Sequence, residues 1–386
     1  MAPSTVEENA GVRKISSVGI IGNAAFTMIK FRGEMIRFLS GKGLDVYCFA
    51  PDYDLTAREE VRSLGGIPVG YRLSRTKIGI FDGIFSVFDL SRRLKQYRID
   101  LVFSYFIKPI LVGNFAGFLA RVPLSYSMIE GQGSIFSDNE VPRFRKSALQ
   151  ILIKILLFFA LRMSSRIFVL NDSDFRFSEK LLFNRTDSIV KISGIGMDVD
   201  YYFPHEEKSN SVRFVFCGRL LVSKGIREFA QAAMELRALN FDCEFIVIGE
   251  VDDNIESIQR EELQEWHDSG VIQWVGFQGD TRPFFHRHTV LVLPTYYPEG
   301  LPRTIQESFA MACPVITTDA PGCGEYIEEG RTGYVVPERN ADAIVAVCRL
   351  LIENPTTILK MGTAAREYAV SNFEVSKINS DIFCDI

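Results

Sequence analysis

Several things are missing from this chain of 386 residues, and each absence removes a class of function. No segment reaches the ~20 apolar residues that a bilayer span needs. The first residues, MAPSTVEENAGVRKISS, contain no apolar core of a secretory leader, so 1-16 reads as a disordered lead-in and a cytoplasmic location is expected. The seven cysteines include no C-x-x-C pair, which argues against a zinc ribbon or a redox dithiol. Cys48, Cys217 and Cys348 lie in apolar runs and read as buried thiols in a reducing compartment. Of four histidines, only His286 and His288 lie close together. Residues two apart do not share a helix face, and the pair reads as surface rather than metal ligands. Net charge is -5, with no basic excess to suit general nucleic-acid binding. Gly22-Asn23-Ala24-Ala25 supplies one glycine of the three in a dinucleotide fingerprint, and no G-x-x-x-x-G-K-[ST] occurs. Nicotinamide-dependent dehydrogenases and P-loop ATPases are thereby set aside.

What remains is a folded globular chain, 47% hydrophobic and long enough for two cores. From Ser17, short β-branched runs alternate with amphipathic stretches. SVGIIG, DVYCFAPD, IPVGYRL, DLVFSY, LSYSMIEG and IFVLND read as strands, with helices between them (Thr27 to Gly41 is the first). This alternation predicts an α/β fold with parallel sheets covered on both faces, and ligands beyond the strand C-termini. Gly194, Gly196, Pro204 and a polar run break the pattern near residue 205. A second series then follows: VRFVFCGRL, CEFIVIGE, VIQWVGF, the strand Val290 to Pro294, PVITTDAPGCGEYI and TGYVVP. The expected domains are 17-204 and 205-366, with 367-386 as a C-terminal helix crossing back to the first.

The stretch Pro294 to Ala312 carries the most chemistry. A strand enters a Pro/Gly turn, and a helix is expected to open near Leu301-Pro302, where proline suits the first turn. The first N–H groups of such a helix attract an anion. Glu299 and Glu307 stand eight residues apart, roughly 12 Å along a helix, and fall near one side of it. The alternative is an ordinary solvated helix face. Arg219 and Lys224 fall where a strand end meets a helix start, a suitable place for a diphosphate, although two surface charges would read the same way. Glu130-Gly131-Gln132-Gly133 also ends a strand, either as a ligand-approaching loop or as a turn with one exposed Glu. Asp52-Tyr53-Asp54 and Asp198-Val199-Asp200 have the triplet form that holds Mn²⁺ in some transferases. Both fall after strands, where Asp serves turns. Val141 to Arg166 is a short apolar helix flanked by Arg143, Arg145, Lys146, Arg162 and Arg166. It reads either as a core helix or as one lying in an anionic headgroup plane.

PEGLPRTIQE resembles the E-x7-E signature of the retaining GT-B glycosyltransferases of family 4. G-R-L-x-x-x-K-G resembles that family's donor diphosphate motif, and ISGIGMDVDYYFP resembles its interdomain hinge. Gly249-Glu250 departs from the family's usual second glycine, and Gly276-Phe277 resembles the loop framing the base. MIEGQGSIF resembles the loop of bacterial N-acetylgalactosaminyltransferases that extend undecaprenyl-diphosphate-linked sugars. The resemblance implies two Rossmann-like domains facing a cleft, with Glu299, Arg219 and Lys224 as catalytic residues. It implies donor contacts at Gly218, Gly249, Glu250, Phe277, Gly300, Leu301, Pro302 and Glu307, the last on ribose. On the acceptor side it implies Gly22, Asn23, Glu130, Gly131, Gln132 and Gly133. The implied reaction is metal-independent transfer, with retention, of a hexose or N-acetylhexosamine from a UDP-sugar to a polyprenyl-diphosphate-linked saccharide. No cofactor is expected, and Pro142-Arg166 would meet the inner face of the membrane. A GDP-mannose-type transferase with a soluble acceptor, a GT-B-like UDP-N-acetylglucosamine 2-epimerase and a sugar-binding protein are the alternatives.

Overall fold

The computed structural model describes residues 15–73, 80–131, 143–183, 185–204, 211–251 and 256–386, without the side chains of 80–81 and 143–148. The first series runs β1 (Ser17–Ile21), α1 (Ala25–Gly41), β2 (Asp45–Ala50), α2 (Leu55–Ser63), β3 (Gly66–Gly70), α3 (Ile80–Gln96), β4 (Leu101–Tyr105), α4 (Ile107–Ala120), β5 (Leu124–Ile129), α5 (Arg143–Arg162), β6 (Arg166–Val169), α6 (Asp172–Leu181) and β7 (Ile189–Lys191). The second runs β8 (Val212–Cys217), α7 (Ile226–Ala238), β9 (Cys243–Ile248), α8 (Arg260–Asp268), β10 (Gln273–Trp274), β11 (Thr289–Leu293), α9 (Arg303–Ala310), β12 (Val315–Thr318), β13 (Gly333–Val336), α10 (Ala341–Glu353), α11 (Pro355–Asn372) and α12 (Val375–Ile382).

The strands form a seven-stranded sheet, ordered β3-β2-β1-β4-β5-β6-β7, and a six-stranded sheet, ordered β10-β9-β8-β11-β12-β13. The described pairings are parallel, with Ile20 opposite Cys48 and Val215 opposite Leu291. β1, β4 and β11 are buried along their full length, as a sheet covered on both faces requires. The strand order reverses between β1 and β4 and again between β8 and β11. Such switch points leave a crevice beyond the strand ends.

The chain divides into two compact units. One is Met1–Ser127 with Met163–Ser165 and Ser380–Ile386, and the other is Met128–Arg162 with Arg166–Asn379. The break in alternation near residue 205 lies between β7 and β8, the last strand of one sheet and the first of the other. In the first unit, Phe49, Leu90, Leu94 and Val102 form a core. Phe383, near the C-terminus, packs there beside Phe38, Phe103 and Tyr126, with ring centroids 5.8–6.5 Å apart.

In the second unit, Met197 N–H donates to Phe373 O (2.7 Å) and Val375 N–H to Met197 O (3.0 Å), fixing the segment after Gly194-Ile195-Gly196. Arg366 reinforces it by donating from Nη1 to the carbonyls of Val199, Tyr202 and Ala310 at 2.7–2.9 Å.

Candidate active site

The second unit's site starts at Gly218, where β8 ends. The chain turns through Arg219 and a short 3-10 turn, Val222–Lys224, into α7. Gly225 has φ +80, and a Cβ there would sit 2.2 Å from the Pro294 carbonyl oxygen. Only glycine lets this loop close on the end of β11. Tyr296 N–H and Thr295 Oγ1 then donate to Ser223 O at 2.9 and 3.2 Å. With the two loops locked together, the Tyr297 ring lies 5.9 Å from the Arg219 guanidinium and 5.7 Å from Lys224 Nζ.

Lys224 is in ion contact with Glu299, and their side chains are only 10% and 16% exposed. Burial first, then repulsion from Arg219, pushes the Lys224 pKa down to about 7. The Glu299 carboxylate is in contact with the same ammonium. Two cations thus converge where one carboxylate is available, and an incoming diphosphate would relieve their repulsion.

The Glu299-Gly300 turn is packed on both sides by backbone. A Cβ on Gly300 would lie 2.8 Å from Glu130 C and Cα, one on Gly131 3.0 Å from Gly300 N, and one on Gly322 2.3 Å from Gly300 O. Glu299 N–H donates to Pro321 O at 3.0 Å. The structure therefore brings Glu130-Gly131 from the end of β5 against Glu299-Gly300, two stretches far apart in sequence. Asn171, buried at the start of α6, donates from Nδ2 to both Glu299 O and Gly300 O at 2.8 Å. Asp174 accepts from Gly131 N–H at 2.9 Å.

The expected helix start needs correction. α9 begins at Arg303, with Pro302 (φ -55, ψ 127) as its cap. Glu299 precedes the helix, so the helical spacing between it and Glu307 does not apply. Gly300, Leu301 and Pro302 run outside the helix, and the two carboxylates have separate environments. Glu307 accepts from Arg303 Nε (2.9 Å), Tyr202 OH (3.1 Å) and Thr281 Oγ1 (3.3 Å). Its charge raises the pKa of nearby Cys217 after burial has already done so, which puts it near the end of β8. Burial, then Glu307, pushes the Tyr202 phenol up to about 12.

Among the other donor-side candidates, Gly249 lies against Gly218, whose carbonyl oxygen would be 2.1 Å from an added Cβ. Glu250 is paired with Arg260 on α8, and Phe277 is exposed. Leu301 is buried.

Of the acceptor-side candidates, Gly22 and Asn23 belong to the first unit. Gly22 closes on Tyr105, whose hydroxyl would be 2.3 Å from an added Cβ, and Asn23 accepts from Thr27 Oγ1 at 3.1 Å. Gln132 and Gly133 lie outside the described residues. That unit also has a cavity of about 1060 Å³ lined by Arg58, Arg72, Arg92, Phe85 and Phe88, remote in sequence from the motifs.

The Asp triplets serve turns. Asp54 caps α2 by accepting from Ala57 N–H (2.7 Å), and Asp52 accepts from Ala25 N–H (2.7 Å). Asp198 accepts from the N–H groups of Asp200 and Tyr201 at 3.0 and 2.8 Å. His286 and His288 are not on the surface: both are buried in the bridge and turn leading into β11, because Arg213 N–H on β8 and the Cys313 thiol hold the carbonyls of His288 and His286 (3.0 and 3.3 Å).

Residues 211–354 match the family described as glycosyl transferases group 1. N,N'-diacetylbacillosaminyl-diphospho-undecaprenol alpha-1,3-N-acetylgalactosaminyltransferase of Campylobacter jejuni subsp. jejuni is 24% identical over 366 residues, 92% of this chain and 94% of that protein. UDP-Gal:alpha-D-GlcNAc-diphosphoundecaprenol alpha-1,3-galactosyltransferase of Escherichia coli is 23% identical over 314 residues, 78% of each chain. The structure of Anabaena HepE in complex with UDP and glucose superposes with a TM-score of 0.73 at 15% identity, covering 95% of this chain and 98% of that one. This chain is a GT-B glycosyltransferase. The matched segment of the transferase holds the whole donor-side set from Gly218 to Glu307. Glu130, Gly131, Asn171 and Tyr202, which meet that set, lie outside it. Sequence reading missed Asn171, Asp174, Tyr202 and Arg303 as parts of the site. Asn171-x-x-Asp174 does carry the signature of a helix cap, which was the only local signal available.

Proposed function

We propose that this transferase moves a hexose or N-acetylhexosamine from a UDP-sugar to a polyprenyl-diphosphate-linked saccharide in bacterial surface-glycan synthesis, with retention and without a metal ion. The observation that carries this reading is the convergence of Arg219, buried Lys224 and the Glu299-Gly300 turn at the β8/β11 switch point. Cleaving the anomeric C–O bond puts negative charge on the leaving diphosphate and positive charge on the sugar ring. Arg219 and Lys224 offset the first, already on the diphosphate once the donor is bound, so no further reorganisation is needed as charge develops. Glu299 takes the sugar hydroxyls once the diphosphate draws Lys224 away, and Glu307 takes the ribose. Glu130, against the same turn, suits an acceptor hydroxyl delivered to the face the diphosphate leaves. The diphosphoundecaprenol acceptors named for the two relatives favour a lipid-linked acceptor here.

The test is UDP or GDP release from a panel of sugar nucleotides, with and without EDTA and a bacterial lipid extract. UDP release that needs lipid and survives EDTA is expected. Release only with Mn²⁺ would overturn metal independence, and equal release without lipid would overturn the acceptor class. NMR of the product anomer decides retention.

A further inference from the structure

Both carbonyls of the Glu299-Gly300 turn are held by one side chain. Asn171 Nδ2 donates its two hydrogens to Glu299 O and Gly300 O at 2.8 Å each, with Asp174 Oδ2 3.1 Å away. Its Oδ1 meanwhile accepts from Asp174 N–H at 2.7 Å, capping α6. Asp174 passes the connection on by accepting from Gly131 N–H. Asn171 is fully buried and Asp174 nearly so. The arrangement needs an amide, because only an amide puts two hydrogens on one atom and an acceptor on the other.

No peptide in the described residues is cis. In a trans peptide the C=O and the following N–H point in opposite directions. Carbonyls turned toward Asn171 therefore turn the N–H groups of Gly300 and Leu301 away from it. Those two N–H groups donate to no protein acceptor among the described residues, although both residues are buried. Buried backbone donors are rarely left that way. The N–H groups of Gly300 and Leu301, the two residues after Glu299, are therefore available to an anion beside Lys224, which contacts the Glu299 carboxylate.

We propose that Asn171 is a positioning residue for the transfer reaction. By gripping both carbonyls it aims the Gly300 and Leu301 N–H groups at the donor's diphosphate, and through Asp174 it holds Gly131 on the same turn. The assignment rests on reading this site as the diphosphate site.

The experiment compares UDP and UMP affinities by calorimetry in wild type, Asn171→Ser and Asn171→Asp. Both substitutions keep a helix cap. Asp has no amide hydrogens, and Ser is too short to grip two carbonyls. The expected result is a fall in UDP affinity of about ten- to a hundredfold, as for the loss of one or two charge-assisted hydrogen bonds, with UMP affinity changed less than about threefold. The ratio is independent of how much protein is folded, so a loss of stability cannot imitate it. A UDP/UMP ratio equal to wild type in both variants would overturn the assignment. A wild type that binds UDP no better than UMP would overturn the diphosphate reading, and the assignment with it.

Discussion

Lys224 sets burial against charge. In water its pKa is near 10.5, and in the site burial and Arg219 lower it to about 7. Between those values the unfolded chain holds a proton that the folded site gives up, so this group makes stability rise with pH across that window. Donor binding reverses the balance, because a diphosphate favours the ammonium. UDP binding near pH 8 is therefore expected to take up a fraction of a proton, measured by calorimetry in buffers of different ionisation enthalpy. Lys224→Ala should show no uptake and lose about a hundredfold or more in turnover while still folding, as far-UV circular dichroism would read. Normal turnover would refute the phosphate role. Gly225 is the matching test of geometry. Alanine there meets both a left-handed backbone and the Pro294 carbonyl, so a loss of about 2–5 kcal/mol in denaturant unfolding is expected. Such residues were legible in the sequence because Gly218-Arg219 and Lys224-Gly225 are contiguous around one strand end. Asn171 was not, since an Asn at a helix cap looks the same whether or not it reaches a distant turn.

At the scale of elements, hydrophobic runs and glycine punctuation located nearly all the strands. The exception is β7, whose three residues at a sheet edge are too few for alternation to register. The helix stop at Gly65-Gly66 is where α2 ends: Gly65 turns the chain at φ +87 and Gly66 opens β3 directly after it, where Cys48, Ile36 and Val61 leave no room for a side chain. α9 shows how an element and a site constrain each other. Arg303 and Glu307 are one turn apart and largely buried, and burial of the arginine is offset by Glu307 and Tyr202. Glu307→Ala would strand that guanidinium, with an expected loss of about 2–4 kcal/mol and a lower melting temperature. Glu307→Gln keeps an acceptor and should be milder. If Glu307 holds ribose, the Gln variant should raise the donor KM at nearly wild-type Tm, and an unchanged KM would remove it from the donor site.

At the scale of the whole molecule, catalysis on a lipid-linked acceptor requires the transferase to reach a membrane surface. No helix among the described residues is long and apolar enough to cross one. α5 would be the means under the function proposed above. Its Ile153, Leu157, Ala160 and Leu161 are buried, whereas Ile151, Ile155 and Phe159, each four residues apart, are about half exposed. A core helix would not leave that ridge uncovered. Phe183 extends the ridge: 81% exposed, it stacks edge-on against Phe158, whose ring also carries Arg162 at 5.8 Å. Apolar residues beside cations suit the headgroup region of an anionic bilayer. Co-sedimentation with phosphatidylglycerol vesicles should therefore be strong at low salt and weaken as salt rises. Replacing Ile155 and Phe159 together by Glu should cut binding about tenfold or more, because it removes buried apolar area and adds two negative charges. UDP affinity should stay at the wild-type value, since neither residue belongs to the donor site. Vesicle binding unchanged by the double replacement would mean that α5 is not the contact, and the transferase would then have to meet its acceptor through another surface.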